Sequence, residues 1–350
     1  MSTVEESSRP VRVASQIPAT AARPRRVALL LPGQGAQRPR MATDLYRTEP
    51  VFTAIIDEVF EAMGAEGARV CADWLAERPE IPIDHVTRAQ PLLFAVDYAL
   101  GRLVLSWGVR PAALLGHSMG ELVAATLAGV FSLSDAVLLV SDRVRRAAAA
   151  PPGGMLAVGA SPDDLASLIG ADVVVGAVNA PRQTILAGPE GPLEKVAVTL
   201  RKQGITCRRV PSLTAFHSPV LEPVNVGAER LLATIRTAPP ETMIYSGYTA
   251  AALRLEDVHD ATFWARHMVA PVLFWPALDA LLSGGEFLLL ETGPGAALTT
   301  LARLHPEVRA RRSTALALLP GRPGPIDTDR LAVRRAAEAL RAEGHQVTPH

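Results

Sequence analysis

Cysteine, lysine and aromatic residues are scarce in this 350-residue sequence, and each scarcity removes a class of chemistry. The two cysteines, Cys71 and Cys207, form no Cys-x-x-Cys pair, so neither a disulfide framework nor a zinc site is expected. Both read as buried apolar residues in a reducing compartment. Lys195 and Lys202 are the only lysines, which leaves little material for Schiff-base or P-loop chemistry. Aromatics make up 5% of the chain, too few for base-stacking platforms. Lys plus Arg equals Asp plus Glu at 35 each, so the basic excess that binds phosphate backbones is missing and no nucleic-acid partner is expected. No run approaches the roughly 18 apolar residues that span a bilayer. The first 25 residues, rich in Ser, Pro, Ala and Arg, lack the apolar centre of a signal peptide. They read as a disordered leader, and the protein as cytoplasmic.

What remains is apolar: 49% of residues are hydrophobic and 20% charged, enough for a well-buried core and about two domains. The spacing predicts an α/β fold. After the leader (1–25), segments 26–152 and 214–325 form an α/β-hydrolase-like main domain with a parallel sheet. Residues 153–213 follow the order β-α-β-β-α-β, predicting an inserted ferredoxin-like subdomain after the Pro-Pro-Gly-Gly break at 151–154. Residues 326–350 are a terminal helix and tail. Within the main domain, VALLLPGQG from Val27 reads as a buried strand ending in a tight loop. AALL before Gly116 reads as a second strand. LALLPG at 316–321 is expected to be the last strand.

Gly116-His117-Ser118-Met119-Gly120 fits Gly-x-Ser-x-Gly, with a strand before it and a helical pattern after it. Small residues flank the serine because the chain turns so sharply from strand to helix, pushing the hydroxyl out at the sheet end. The helix start there favours negative charge nearby. Ser118 is thus a candidate nucleophile. It needs a base. His117 adjoins Ser118 in sequence, so its side chain points away. His217, in the loop after the inserted subdomain, is the leading candidate; a structural role for His217, and His267 or His259 as the base, are the alternatives. His305, beside Pro306 in a charged stretch, reads as exposed. Arg143 shares a helical face with Ala136, Leu139, Val140 and Ala147 in a helix capped by Ser132. A guanidinium on such a face needs a partner: an internal ion pair, a route to solvent, or a substrate carboxylate. Pro32-Gly33-Gln34-Gly35 lacks the Lys and Ser/Thr of a phosphate loop; it is placed to offer a backbone N–H to an oxyanion.

With these residues goes a resemblance. LPGQGAQ (31–37), Gln90-Pro91, GHSMGE (116–121), Arg143, GGMLAV (153–158), NAPRQTILAG (179–188), AFHSPVLEP (215–223), FWARHMVAPV (263–272) and ETGPG (291–295) are similar, in order, to malonyl-CoA:acyl carrier protein transacylases and polyketide synthase acyltransferase domains. The resemblance covers roughly residues 27–305. It implies Ser118 as acylated nucleophile and His217 as general base, oriented by the backbone carbonyl of His267 instead of an acid. It implies an oxyanion hole from the N–H groups of Gln34 and Met119. Arg143 would bind the free carboxylate of a malonyl-type group, and Asn179, Gln90 and His117 would line the cleft. The Ala215-Phe216-His217 segment resembles malonyl-selective members, with Phe216 filling the space of a C2 methyl; Thr214 departs from the usual pattern.

The implied reaction is ping-pong transfer from coenzyme A to the phosphopantetheine thiol of an acyl carrier protein, by a monomer, with no metal or redox cofactor. An editing acyl hydrolase would not need Arg143. A transferase of non-malonyl units and a non-catalytic docking subunit are further readings. The starting Met and leader favour a discrete enzyme acting in trans over a piece of a larger synthase.

Overall fold

The computed structural model describes residues 24–322, 324 and 327–348. Residues 1–23 of the expected leader lie outside the described residues. Arg25, assigned to the leader by sequence, pairs with Glu343 at 2.6 Å.

Two sheets organise the chain. The larger comprises β1 (Arg26–Leu31), β2 (Ala113–Gly116), β7 (Met243–Ser246), β8 (Ala251–Ala252), β9 (Phe287–Glu291) and β10 (Thr314–Ala317). They run in the order β10-β9-β1-β2-β7-β8, all parallel except β8. β1 is central and buried on both faces, as an uninterrupted apolar run should be. Val27, Leu29 and Leu31 pack on one side with the Val86–Ser106, Met119–Leu127 and Leu133–Ala148 helices. Ala28 and Leu30 face the Phe274–Ser283 and Ala297–Ala302 helices on the other. Leu31 pairs with Gly116, so the loops after β1 and β2 leave the sheet side by side. This is the carboxyl end of the strands, where open parallel sheets place their sites.

The smaller sheet comprises β3 (Gly153–Val158), β4 (Val174–Ala180), β5 (Gln183–Pro189) and β6 (Cys207–Arg209), antiparallel in the order β4-β5-β3-β6. With a 3-10 turn at Asp163–Leu168 and the Glu190–Lys202 helix on one face, this is the ferredoxin-like arrangement expected from the element order. The sheets are joined through Val272, whose N–H donates to Gly176 O at 2.9 Å and whose carbonyl accepts from Val178 N–H at 2.8 Å.

Several local readings need correction. The last strand is Thr314–Ala317, and Leu318 and Leu319 follow it as buried residues. A helix at Ala65–Leu75 has no counterpart in the sequence reading. The run PLLFAVDYALGRLVLSWG reads from the sequence as a helix beginning at Pro91; the helix instead starts at Val86, with Pro91 inside it. Pro91 lacks an N–H for Thr87, and the freed Thr87 carbonyl accepts instead from the Arg88 guanidinium at 3.1 Å. Cys71 and Cys207 are free and half-buried. His305 is buried, held by Asp279 at 3.1 Å and packed on Trp275.

Candidate active site

Ser118 sits between β2 and the Met119–Leu127 helix with φ 54° and ψ −113°, a conformation non-glycine residues rarely hold. A Cβ on Gly120 would run into the Leu31 carbonyl, so only glycine lets the new helix pass β1 so closely. Gly33 faces the same demand: a side chain there would meet the His117 carbonyl. The loop after β1 therefore rests directly on the serine turn. That brings Gln34 beside Met119. Among the described residues, neither of these backbone N–H groups donates to a protein acceptor. Two free donors beside a serine hydroxyl are what an oxyanion hole requires.

His217 is also strained, with φ 61°. Its N–H donates to the Met268 carbonyl at 2.8 Å. Its ring bridges two partners: Nδ1–H donates to the Ala270 carbonyl at 2.9 Å, leaving Nε2 to accept from Ser118 Oγ–H at 2.7 Å. The orienting carbonyl is therefore Ala270 and not His267, as the family resemblance had implied. The 3-10 turn at Arg266–Met268 aims the His267 carbonyl elsewhere, where it accepts from the Tyr248 hydroxyl at 2.9 Å. The chain then straightens towards Val272 and presents Ala270 to the ring.

Burial, with Arg143 nearby, lowers the His217 pKa to about 3, while the Ala270 hydrogen bond works against that shift. Burial likewise lowers His117. It drives His267 well below the ordinary imidazole value, with Arg143 and His217 adding to the effect. His217 thus rests as a neutral imidazole with its lone pair on the serine hydroxyl.

Arg143 lies on the inward face of its helix, as its spacing predicted. Nε donates to Gln90 Oε1 at 3.0 Å, and Nη2 points to Ser118 Oγ at 3.3 Å. Gln90 is held in turn by Gln34 Oε1 at 3.0 Å. The Phe216 ring lies 5.5 Å from the guanidinium carbon, on its face. Among the described residues no carboxylate pairs with Arg143, and burial lowers its pKa. The ion-pair alternative is thereby removed.

His117 turns away from Ser118, as expected, and meets Asn179 Oδ1 at 2.8 Å across the gap to the small sheet. His259 bonds Thr237 Oγ1 at 2.7 Å, remote from the serine. The structure thus gathers Ser118, His217, Gln34, Met119, Gln90, Arg143 and Phe216 at one sheet end, with His117 and Asn179 on the adjoining wall.

Sequence reasoning missed Tyr248 and Glu121. Tyr248 stacks on His267 with centroids 3.8 Å apart. Glu121 is fully buried, accepts from Gly247 N–H at 2.9 Å and has its pKa raised to about 8 by burial. Glu121 stood within a quoted motif; Tyr248 carried no signal beyond following a strand. Among the described residues no cluster of His, Cys, Asp or Glu is arranged to hold a metal ion, and no helix is long and apolar enough to cross a membrane.

Residues 29–311 match the acyl transferase domain family. The chain is 37% identical over 274 residues to a phenolphthiocerol/phthiocerol polyketide synthase polypeptide of Mycobacterium tuberculosis (strain ATCC 25618 / H37Rv), covering 78% of this chain and 18% of that protein. It spans less than a fifth of that relative's length. Among solved structures, it is similar to the acyltransferase domain from the second module of the salinomycin polyketide synthase. There the TM-score is 0.81 at 34% identity, covering 92% of this chain and 75% of the other. The same fold recurs in the malonyl CoA-acyl carrier protein transacylase from Coxiella burnetii, with TM-score 0.76 at 22% identity, over 92% of this chain and 99% of the other. By the extent of these matches the chain belongs to the acyl transferase domain family and is an acyltransferase.

Proposed function

We propose that this acyltransferase moves a malonyl-type acyl group from coenzyme A, through an ester on Ser118, to the phosphopantetheine thiol of an acyl carrier protein in polyketide or fatty-acid biosynthesis. The observation that carries the reading is Arg143: a half-buried guanidinium beside the candidate nucleophile whose hydrogen-bond partners are neutral. A guanidinium drawn partly out of water without an anion is unfavourable, and a substrate carboxylate would supply one through two parallel N–H···O bonds. A cavity opens from Ser118, lined by Arg143, Leu122, Trp264 and Met268. The polyketide synthase relatives support the biosynthetic setting.

The chemistry follows from the hydrogen bonds. Ser118 Oγ attacks the thioester carbonyl as its proton passes to His217 Nε2. The oxyanion is held by the N–H groups of Gln34 and Met119. The intermediate collapses to the serine ester, and the leaving thiolate takes the proton from His217. In the second half the carrier thiol gives its proton to His217, attacks the ester, and Ser118 leaves as an alkoxide that recovers that proton. His217 is neutral at the start of each half, as its lowered pKa requires.

Intact-protein mass spectrometry after incubation with a panel of acyl-CoAs tests this. A malonyl adduct that discharges onto a loaded carrier protein is the expected result. An adduct from monocarboxylic acyl-CoAs only would remove the dicarboxylic reading. Rapid discharge to water without carrier protein would favour an editing hydrolase.

A further inference from the structure

Tyr248 sits one residue past the Ser246-Gly247 end of β7, and three hydrogen bonds fix it there. Its own N–H donates to Ser246 Oγ at 3.0 Å. Gly247 N–H is held by the buried carboxyl of Glu121, on the helix that begins at the nucleophile. Its hydroxyl donates to the His267 carbonyl at 2.9 Å. The ring stacks on His267 at 3.8 Å with an interplanar angle of 16° and lies 6.2 Å from the His217 ring.

The segment Tyr248 grips is the one that orients the base. Within four residues, His267 gives its carbonyl to Tyr248, Met268 gives its carbonyl to His217 N–H, and Ala270 gives its carbonyl to His217 Nδ1–H. We propose that Tyr248 is a positioning residue for the His217 base: by engaging the His267 carbonyl it sets the turn at 266–268 so that Ala270, three residues on, meets Nδ1. Without the phenol the His267 carbonyl is a buried acceptor with no donor, and the turn is free to rotate. It then competes with Ala270 for the same N–H. Either outcome tilts the imidazole relative to Ser118 Oγ, and a small misplacement of a catalytic group is expensive in rate. The positive charge of Arg143, and hydrogen bonding from Ser118 and Arg143 to the hydroxyl, act to lower its pKa. Burial, the larger effect, keeps it raised, so the phenol stays neutral and able to donate.

The inference rests on Ser118 and His217 as nucleophile and base, and the experiment separates the two. Single-turnover acylation by malonyl-CoA and by acetyl-CoA is measured on the whole chain for the parent, Tyr248→Phe and His217→Ala, with melting temperatures alongside. Tyr248→Phe retains the ring and removes only the hydroxyl. Its acylation rate constant is expected to fall between about 10- and 100-fold for both acyl groups alike. The half-saturating malonyl-CoA concentration and the malonyl-to-acetyl ratio should stay unchanged. Tyr248→Val, which also removes the stack on His267, should be slower still. An unchanged rate constant in folded Tyr248→Phe overturns the proposal, as does an effect confined to half-saturation or acyl preference. If His217→Ala acylates at the parent rate, the reading of the base itself fails. If His217→Ala is inactive while Tyr248→Phe matches the parent, only the role of Tyr248 fails.

Discussion

Arg143 Nη2 points at Ser118 Oγ from 3.3 Å, so the guanidinium proposed to select the acyl group engages the proposed nucleophile itself. An N–H aimed at Oγ occupies a lone pair that the attack needs. The same guanidinium depresses the pKa of His217, the acceptor of the serine proton. A carboxylate entering on the substrate draws Arg143 into a charge-assisted pair and cancels its field. The hydroxyl is then freed and the imidazole becomes a stronger base. On the proposed function both effects would reach only acyl groups that bring a carboxylate, which would build discrimination into the rate of acylation as well as into binding.

Arg143→Ala should therefore lower the malonyl-to-acetyl ratio of kcat/KM by about two orders of magnitude or more, as truncating one partner of a buried charge pair does. Acetyl transfer itself should hold or rise, because nothing opposes Oγ any longer. Arg143→Lys should recover little, since a point charge does not reproduce the planar fork that Gln90 holds in place. Kinetics with both thioesters and a melting curve decide it. A steady ratio with a collapsed melting temperature would make Arg143 a structural residue.

Ser118→Ala should give no acyl adduct by intact mass while keeping the fold, because the serine side chain donates to nothing but His217. His217→Ala should slow acylation on the order of 10³-fold or more. His267→Ala should cost far less, since it leaves every backbone carbonyl at 267–270 in place. Equal damage from His217→Ala and His267→Ala would mean that the base has been misassigned.

The elbow was readable because a steric demand left a local trace: Gly116 and Gly120 flank Ser118 wherever a strand turns directly into a helix. Arg143 was readable from helical spacing, and the small sheet from its element order. Other features left no such trace. Whether Arg143 had an internal anion depended on which side chains the fold brings beside it, and Gln90 lies 53 positions away. The carbonyl that orients His217 is a backbone atom, identical in kind at His267, Met268 and Ala270, so only the turn at Arg266–Met268 selects among them. His305 read as exposed from its charged neighbours, yet Trp275 and Asp279 enclose it from a helix whose position sequence spacing did not reveal.

Phe216→Ser should relax acyl choice towards methylmalonyl. The ring is buried in a cluster with Met268 and Leu221 and lies under the Arg143 guanidinium, so it would wall the space beside a carboxylate held by Arg143. Removing it opens room for a methyl, a difference worth roughly 1–3 kcal/mol, or about 10- to 200-fold in the ratio of the two thioesters. The same truncation costs stability, on the order of 3–5 kcal/mol for a phenylalanine taken from a core. Competition between malonyl- and methylmalonyl-CoA reads the first effect and a denaturation curve the second. A ratio that does not move would take Phe216 out of the acyl site.

The pH dependence of acylation should lack the acid limb expected of an ordinary histidine. Burial and Arg143 bring His217 to about 3, so the imidazole stays neutral, with its lone pair on Ser118, far below pH 6.5. In the free enzyme kcat/KM for malonyl-CoA should stay level between pH 7 and about pH 5. Stability behaves differently. In the unfolded chain the same side chain takes up a proton below about 6.5, whereas the folded protein refuses it until about 3. Between those values the unfolded state binds more protons, so the folded state loses ground as the pH falls. Above pH 6.5 the contribution of His217 is present in full. A His217→Gln variant has no such group, so the parent's stability relative to it should decline as the pH is lowered from about 6.5. Activity at constant pH below that point should persist for as long as the fold does. A kcat/KM profile that breaks near pH 6.5 while the protein remains folded would show that His217 is solvated and charged like a surface histidine, and the neutral-base account would fail.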